Sequence, residues 1–288
     1  MSFEETLKLV YNLIYYSSGA ASKLSGCIRP ISTTLTSIKL SSPPLQPPVT
    51  SLVNALCNLD LALGNEVDTS TSEALFPAQD GSKLADRLLH ILEKSVTPKS
   101  DEERDLDATL SPLVNLIRKL YTAAPEHVQE HMRSVLLPQQ SSRDKPLGQD
   151  STLASRLLRL SISPLNPLLR DSISTLLFEL SDKDPTLFVQ NIGYGYAAGF
   201  LTSNGMAVPP SVSGSGHVAA GVDDINPITG QRRDAEPEVE LPEMTDEEKE
   251  REAERLFVLF ERLRATGVVD VKNPVQQAID EGRFEELD

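Results

Sequence analysis

The chain contains no tryptophan, and aromatic residues make up only 5% of it. It has two cysteines, Cys27 and Cys57, and four histidines. Two cysteines build no disulfide framework. Met1 leads into FEETLK, with acids where a signal peptide would carry a basic region. Both features point to a reducing, cytoplasmic setting. No apolar run approaches the roughly 20 residues that span a bilayer. There is no basic stripe either. The formal net charge is −15, which excludes the electrostatic footprint of a nucleic-acid binder and repels anionic lipid. Glycine is sparse at 15 residues, and no strand-period alternation of any strength is present.

Leucine is abundant. There are 42, of which 36 precede residue 190. A leucine-rich, aromatic-poor chain favours helices over sheets. Through the first two-thirds, short stretches carry apolar residues at i, i+3, i+4 and i+7, separated by Ser/Pro-rich turns. Leu7, Val10, Tyr11 and Ile14 make one face; Leu52, Leu56 and Leu59 make another. Leu84, Leu88, Ile91 and Leu92 follow, then Leu113, Leu116, Ile117 and Leu120, then Val128, Met132 and Val135. Leu153, Leu157, Leu158 and Leu160 precede Ile173, Leu176, Leu177 and Leu180. Each such helix is too short to stand alone in water and must bury its stripe on neighbours. The predicted fold is all-α: an armadillo- or HEAT-like α-solenoid over 1–204. Periodicity alone leaves a single helical bundle open. The prolines of 41–48 forbid helix there, and 64–81 and 137–150 read as exposed insertions between helices.

Composition changes at Gly205. Residues 205–243 read as a flexible acidic linker and 244–288 as C-terminal amphipathic helices. From Asp223 onward there are 20 acids and 9 bases. Thr245 and Glu248 have capping-box spacing. Acids fill the first turn that follows and Arg262 and Arg264 the last, matching the helix dipole. Gly267 supplies a stop. The apolar side of this helix is Ala253, Leu256, Phe257, Phe260 and Leu263. A second short helix is predicted from Asn273-Pro274 to Gly282, with Val275, Ala278 and Ile279 apolar. The linker is long enough to carry the first of these helices to a partner.

Chemical motifs are thin. HVQEH at 127–131 fits a zinc-hydrolase pattern, with His127 and His131 one turn apart and Glu130 as base. No third ligand motif follows, and the other histidines are only His90 and His217. A polar helix face is the plainer reading. GYGYAAG at 193–199 has glycines at 193, 195 and 199. A dinucleotide site needs a strand before it and a helix after it; LFVQNI is the one candidate strand. Close packing at small residues is the plainer reading. The acids of 234–254 match no EF-hand spacing. Cys57 lies in an apolar helical pattern and reads as a buried free thiol. No catalytic residue, metal site or cofactor is assigned.

Three segments are more specific. FVQNIGYGYAAGFLTSNGM at 188–206 resembles the G-Y-G-N-A-A-G-L-L helix that ends the repeat region of the synembryn family. INPITGQ at 225–231 resembles that family's N-P-[VM]-T-G-[RE] step. MTDEEKEREAERLFVLFERL at 244–263 resembles its C-terminal helix, in the same order and spacing. Weaker similarity reaches back to residues 3–13. The chain departs from the pattern in three ways. It opens within what resembles a middle repeat, with the N-terminal repeats absent, as in a truncated or short form. Tyr196 stands where the family has Asn. Ser211, Ser213 and Ser215 lack the acids that would direct a kinase; Thr245, with Glu248 at +3, fits one better but is explained by capping.

The resemblance implies a non-receptor guanine nucleotide exchange factor and folding chaperone for heterotrimeric G-protein α subunits. Such a protein needs no covalent chemistry. It binds the nucleotide-free state more tightly than the GDP-bound one, which lowers GDP affinity by the same factor. In the family the solenoid groove takes the α subunit's C-terminal helix, and the C-terminal helices clamp its GTPase domain. The implied partner-binding residues are Gly193, Tyr194, Gly195, Leu256, Phe257, Phe260 and Leu263. The implied location is the cytoplasm, and the cell cortex through the G protein, with no direct membrane insertion. The alternative is an α-solenoid scaffold without exchange activity.

Overall fold

The computed structural model describes residues 3–17, 19–61, 69–96, 106–206, 225–226, 228–236 and 245–265. Its helices are α1 (Phe3–Tyr16), α2 (Ala20–Lys23), α3 (Ile28–Ser37), α4 (Val49–Asn58), α5 (Thr69–Leu75), α6 (Lys83–Ser95), α7 (Leu106–Ala123), α8 (Glu126–Leu136), α9 (Leu153–Leu160), α10 (Pro167–Leu180), α11 (Pro185–Ile192), α12 (Tyr194–Ser203) and α13 (Asp246–Ala265). Among the described residues there is no strand, only an isolated antiparallel bridge between Ile225 and Arg232. The chain forms two compact units, Met1–Glu236 and Pro237–Asp288. Twelve residues read as linker, 225–236, therefore fall within the first unit.

The first unit is solenoid-like. Helices α1, α4, α7 and α10 pack each on the next as one ladder. Behind them α3 packs on α4, α6 on α7 and α9 on α10. The chain thus advances in three-helix steps, α2–α4, α5–α7 and α8–α10, with the third helix always in the ladder. The leucine periodicity explains this core: Leu52, Leu56, Leu88, Leu113, Leu116, Ile117, Leu120, Leu176 and Leu177 are all fully buried. Fully burying such a side chain contributes about 1.5–3 kcal/mol. α11 and α12 close against each other and α10, with Phe178, Phe188 and Phe200 mutually in ring contact at 5.4–5.6 Å.

Polar contacts set the ends of these helices. Asp184 accepts from the amides of Thr186 and Leu187 to start α11, with Pro185 preset at its first position. Asp107 on α7 accepts from the amides of Leu168 (3.3 Å) and Leu169 (2.8 Å), placing an acid at the positive end of α10. At the other ends a guanidinium recurs. Arg87 on α6 donates to the carbonyls of Leu35 and Ile38 at the end of α3. Arg156 on α9 donates to those of Glu93 and Val96 at the end of α6. In the second and third steps one arginine each satisfies carbonyls that the preceding step leaves without helical partners.

Two segments differ from their expected loop character. Residues 64–81 contain α5, and Leu75 and Phe76 are buried there because α5 packs on α3. Residues 137–150 are not an exposed insertion, since Arg143 and Leu147 are 4% exposed. Tyr11, grouped with the buried face of α1, is 37% exposed. Among the described residues no helix is long and apolar enough to cross a membrane.

Candidate functional site

The GYG step is a helix junction. LFVQNI, the one candidate strand, lies in α11, so no β-turn-α unit exists here and the dinucleotide reading fails. Gly193 closes α11 and opens α12 at φ +79°, ψ 150°, a region open essentially to glycine alone. A Cβ there would stand 3.2 Å from the Ile228 carbonyl oxygen, and one on Gly195 would stand equally close. The Gly195 amide donates to that same oxygen at 3.2 Å. The glycines let the backbone of 225–236, hereafter the strap, lie directly on the start of α12.

The strap is a tight turn. Asn226 accepts from the Ile228 amide with its side chain and from the Gly230 amide with its carbonyl. It pairs with the 143–147 loop, Leu147 donating to the Thr229 carbonyl and Arg232 to the Arg143 carbonyl. The Arg143 guanidinium sits at the centre. It donates to Gly230 O at 2.9 Å and to Gln190 O and Asn191 O at 3.0 Å each. It thereby ties strap, loop and the end of α11 together, the same end-capping role as Arg87 and Arg156. Burial pushes its pKa down. Tyr196 completes the junction, its hydroxyl donating to Leu147 O at 2.9 Å. A Cβ on Gly148 would fall 2.0 Å from that hydroxyl, and Gly148 has φ +87°. The tyrosine that departs from the family's Asn is thus accommodated by a glycine. Burial raises the pKa of Tyr196, against a smaller lowering by Arg159.

Beside the strap, a cleft of about 690 Å³ opens between α10 and α12, lined by Gly195, Tyr196, Phe200, Arg170, Asp171 and Ser174 among others. Ile162, Leu165 and Leu168 are exposed at the α9–α10 turn. Tyr194 is half-buried against the core.

In the second unit, the expected capping box is present. The Thr245 amide donates to Glu248 at 3.0 Å, and the Glu248 amide to the Thr245 hydroxyl at 3.4 Å. Along α13, Ala253, Phe257 and Phe260 are half-buried, while Leu256, Val258 and Leu259 are 41–56% exposed. The side chain of Leu263, Gly267 and the helix expected at 273–282 lie outside the described residues. The expected partner-binding residues therefore fall in two groups, one at the α11–α12 junction and one on α13.

The other motifs find local partners. His131 Nε2 is 2.6 Å from Asp86 Oδ1. His127 packs against Gly81, where a Cβ would stand 3.3 Å from its Nε2. Among the described residues no three His, Cys, Asp or Glu side chains group as a metal site requires. Cys57 is a half-buried free thiol; burial raises its pKa, and Lys119 and Arg118 oppose this. Sequence reasoning missed Arg143 because a lone arginine in a Ser/Pro/Gly-rich stretch carries no periodic signal.

The fold and its surfaces define a helical solenoid closed at one end by a strap. A family model described as the guanine nucleotide exchange factor synembryn matches residues 1–283. The chain belongs to the synembryn family. It is 29% identical to a synembryn-like chaperone of Schizosaccharomyces pombe over 80% of this chain and 45% of that protein. It is 27% identical to the chaperone Ric-8A of Xenopus tropicalis over 82% and 44%, and 30% identical to the chaperone Ric-8 of Drosophila melanogaster over 64% and 33%. The chain spans less than half the length of these relatives.

Proposed function

We propose that this chain binds heterotrimeric G-protein α subunits as an exchange factor and folding chaperone, preferring the nucleotide-free state. Family membership supports the exchange and chaperone activities. The observation that carries the binding mode is α13: a solvated helix with a preset N-terminal cap that leaves Leu256 and Leu259 exposed. In this reading Leu256, Phe257, Phe260 and Leu263 clamp the GTPase domain. The open face of the ladder, in armadillo-type steps, takes the α subunit's C-terminal helix. Gly193 and Gly195 contribute by seating the strap, Gly195 also lines the cleft between α10 and α12, and Tyr194 stands between them on the core. Exchange then needs no covalent step and no cofactor. Tighter binding of the empty state speeds GDP loss, and the same binding stabilises an unstable folding intermediate by mass action. The protein would work in the cytoplasm and reach the cortex with its G protein.

The test is GDP release from a purified α subunit with and without the full chain, in wild type and Phe260→Asp. Acceleration by wild type, weakened by Phe260→Asp at unchanged helicity and melting temperature, supports the clamp. A mutation that lowers the melting temperature while α-subunit binding is kept shows a structural role for α13. The rival reading is an α-solenoid scaffold without exchange activity. Binding with no acceleration of GDP release would establish it.

A further inference from the structure

The last rung of the ladder has one flank covered and one flank open. The rungs stack parallel and start to start. Asp107 at the start of α7 caps the start of α10, and further along the same pair Asn115 reaches Ser172 and Arg118 reaches Glu179. Those contacts cover the α7 flank of α10. The cleft of about 690 Å³ opens on the other flank, with Arg170, Asp171, Ser174 and Thr175 on its α10 wall and α12 opposite. A further rung would lie there.

Two features of this cleft have no explanation within its own walls. α12 turns Gly195, Gly199 and Ser203 to it, spaced i, i+4 and i+8. Gly199 lies inside the helix, where glycine costs stability relative to alanine. It has no positive φ, and an added Cβ would meet nothing within 4 Å. Neither backbone angle nor crowding calls for glycine at that position, so the small stripe suits a surface that comes close from outside. Ser174 is the second feature. It is 6% exposed, lines the cleft, and its hydroxyl has no hydrogen-bond partner among the described residues. A buried hydroxyl in that state points to a ligand that supplies the missing bond.

The opposite end of the ladder carries the complement. α1 buries Leu7 and Val10, while Leu9, Leu13 and Tyr16 are 44%, 45% and 81% exposed. These three are spaced i, i+4 and i+7 and lie about 130° round the helix from the buried stripe. A helix apolar on two flanks is suited to packing from both. We propose that α1 of a second copy fills the α10–α12 cleft as the next rung, so that copies associate head to tail. α1 and α10 have 14 residues each. Laid parallel and start to start, as the rungs of one copy are, Glu4 and Glu5 come level with Arg170, and Lys8 with Asp171, so that opposite signs meet. Asn12 borders the exposed stripe, makes no hydrogen bond among the described residues, and carries both the donor and the acceptor that Ser174 lacks. The contact joins two different surfaces, so it does not close as a two-fold dimer and grows by addition. The inference goes beyond the exchange reading and leaves the open face of the ladder to the α subunit.

The test is sedimentation velocity of the full chain from about 1 to 200 µM, because a one-helix contact is small and expected to be weak. Wild type should grow with concentration past the dimer. Leu13→Asp spoils the α1 surface and Gly199→Leu fills the cleft; each should weaken association at least tenfold or so, with circular dichroism and melting as fold controls. Tyr16→Lys, at the most exposed position, repeats the α1 arm. Gly199→Leu improves helix propensity, so its loss of association does not come from unfolding. The decisive result is the mixture: Leu13→Asp keeps a working cleft and Gly199→Leu keeps a working α1, so the two together should form a one-to-one dimer and stop. Wild type that stays monomeric throughout overturns the proposal. So does association that survives Gly199→Leu, which would mean that α1 pairs with itself. GDP release by Gly199→Leu is expected to match wild type. Its loss, with wild type monomeric, would give the cleft to the α subunit and overturn the proposal while leaving the exchange reading in place.

Discussion

The ladder and the strap are held in opposite ways. The ladder is joined by leucines whose attraction is non-directional, so any helix with the right stripe joins it. The strap contributes little apolar area. It is joined by directed bonds from Arg143, Leu147, Gly195 and Arg232 to main-chain groups. The first region draws its stability from burial and the second from geometry. The two should therefore respond differently to the same kind of damage.

The largest effect is expected in the ladder. Leu116→Ala removes a fully buried side chain and should lower unfolding free energy by about 2–5 kcal/mol, read by urea denaturation, with every segment of the first unit losing exchange protection together. If only the neighbourhood of α7 loosens, the ladder is not one cooperative body. Next comes Arg143→Met, which leaves three carbonyls short of a charged donor and should cost about 2–3 kcal/mol. Its signature is local: loss of amide protection at 225–236 with the ladder intact. Arg143→Lys should not restore it, because an ammonium lacks the planar fork that reaches both Gly230 and the end of α11. Global unfolding by Arg143→Met would erase the contrast between the regions.

Gly193→Ala should cost about 1–3 kcal/mol through its backbone angle alone, and it should push the strap outward, because the added Cβ would stand 3.2 Å from the Ile228 carbonyl oxygen. Tryptic cleavage at Arg232 and Arg233 reads this directly. The smallest effect belongs to Asp150, which accepts from the amide and hydroxyl of Thr152, the residue that caps α9. Burial raises its pKa, but hydrogen bonds from Ser155, Thr152 and Ser142 outweigh this and leave it lowered. A lowered carboxylate contributes stability above its unfolded pKa of about 3.9 and loses it as pH falls through the folded value. Asp150→Asn should therefore melt slightly below wild type at pH 6, by about 0.5 kcal/mol after solvent screening, and match it near pH 2. A difference that persists at pH 2 would mean that the side chain's shape, not its charge, matters there.

The ladder was legible because burial leaves a periodic trace. Leu113, Leu116, Ile117 and Leu120 announce their helix before any neighbour is known, and Thr245 with Glu248 announce a cap from three residues apart. The strap left only a family likeness. Its key donor reaches acceptors 47, 48 and 87 residues away, and no local pattern encodes such a partner. Arg87 and Arg156, reaching back 49–63 residues, were unreadable for the same reason. The small residues at 193 and 195 do mark a close approach, and the element that approaches is the strap.

The position of the strap also imposes an order in time. Arg143 leaves the ribosome 87 residues ahead of Gly230, several seconds at ordinary synthesis rates. Through that interval the helices up to α12 can stack, while the guanidinium still lacks an acceptor it will need. Bringing the two ends of such a loop together carries an entropy penalty of about 4 kcal/mol beyond a constant. The strap is therefore the last piece of the first unit to arrive, and under mild denaturation it should be the first to leave. A nascent chain stalled before residue 225 would carry a helical stack with an open end, ready for whatever chaperone it meets.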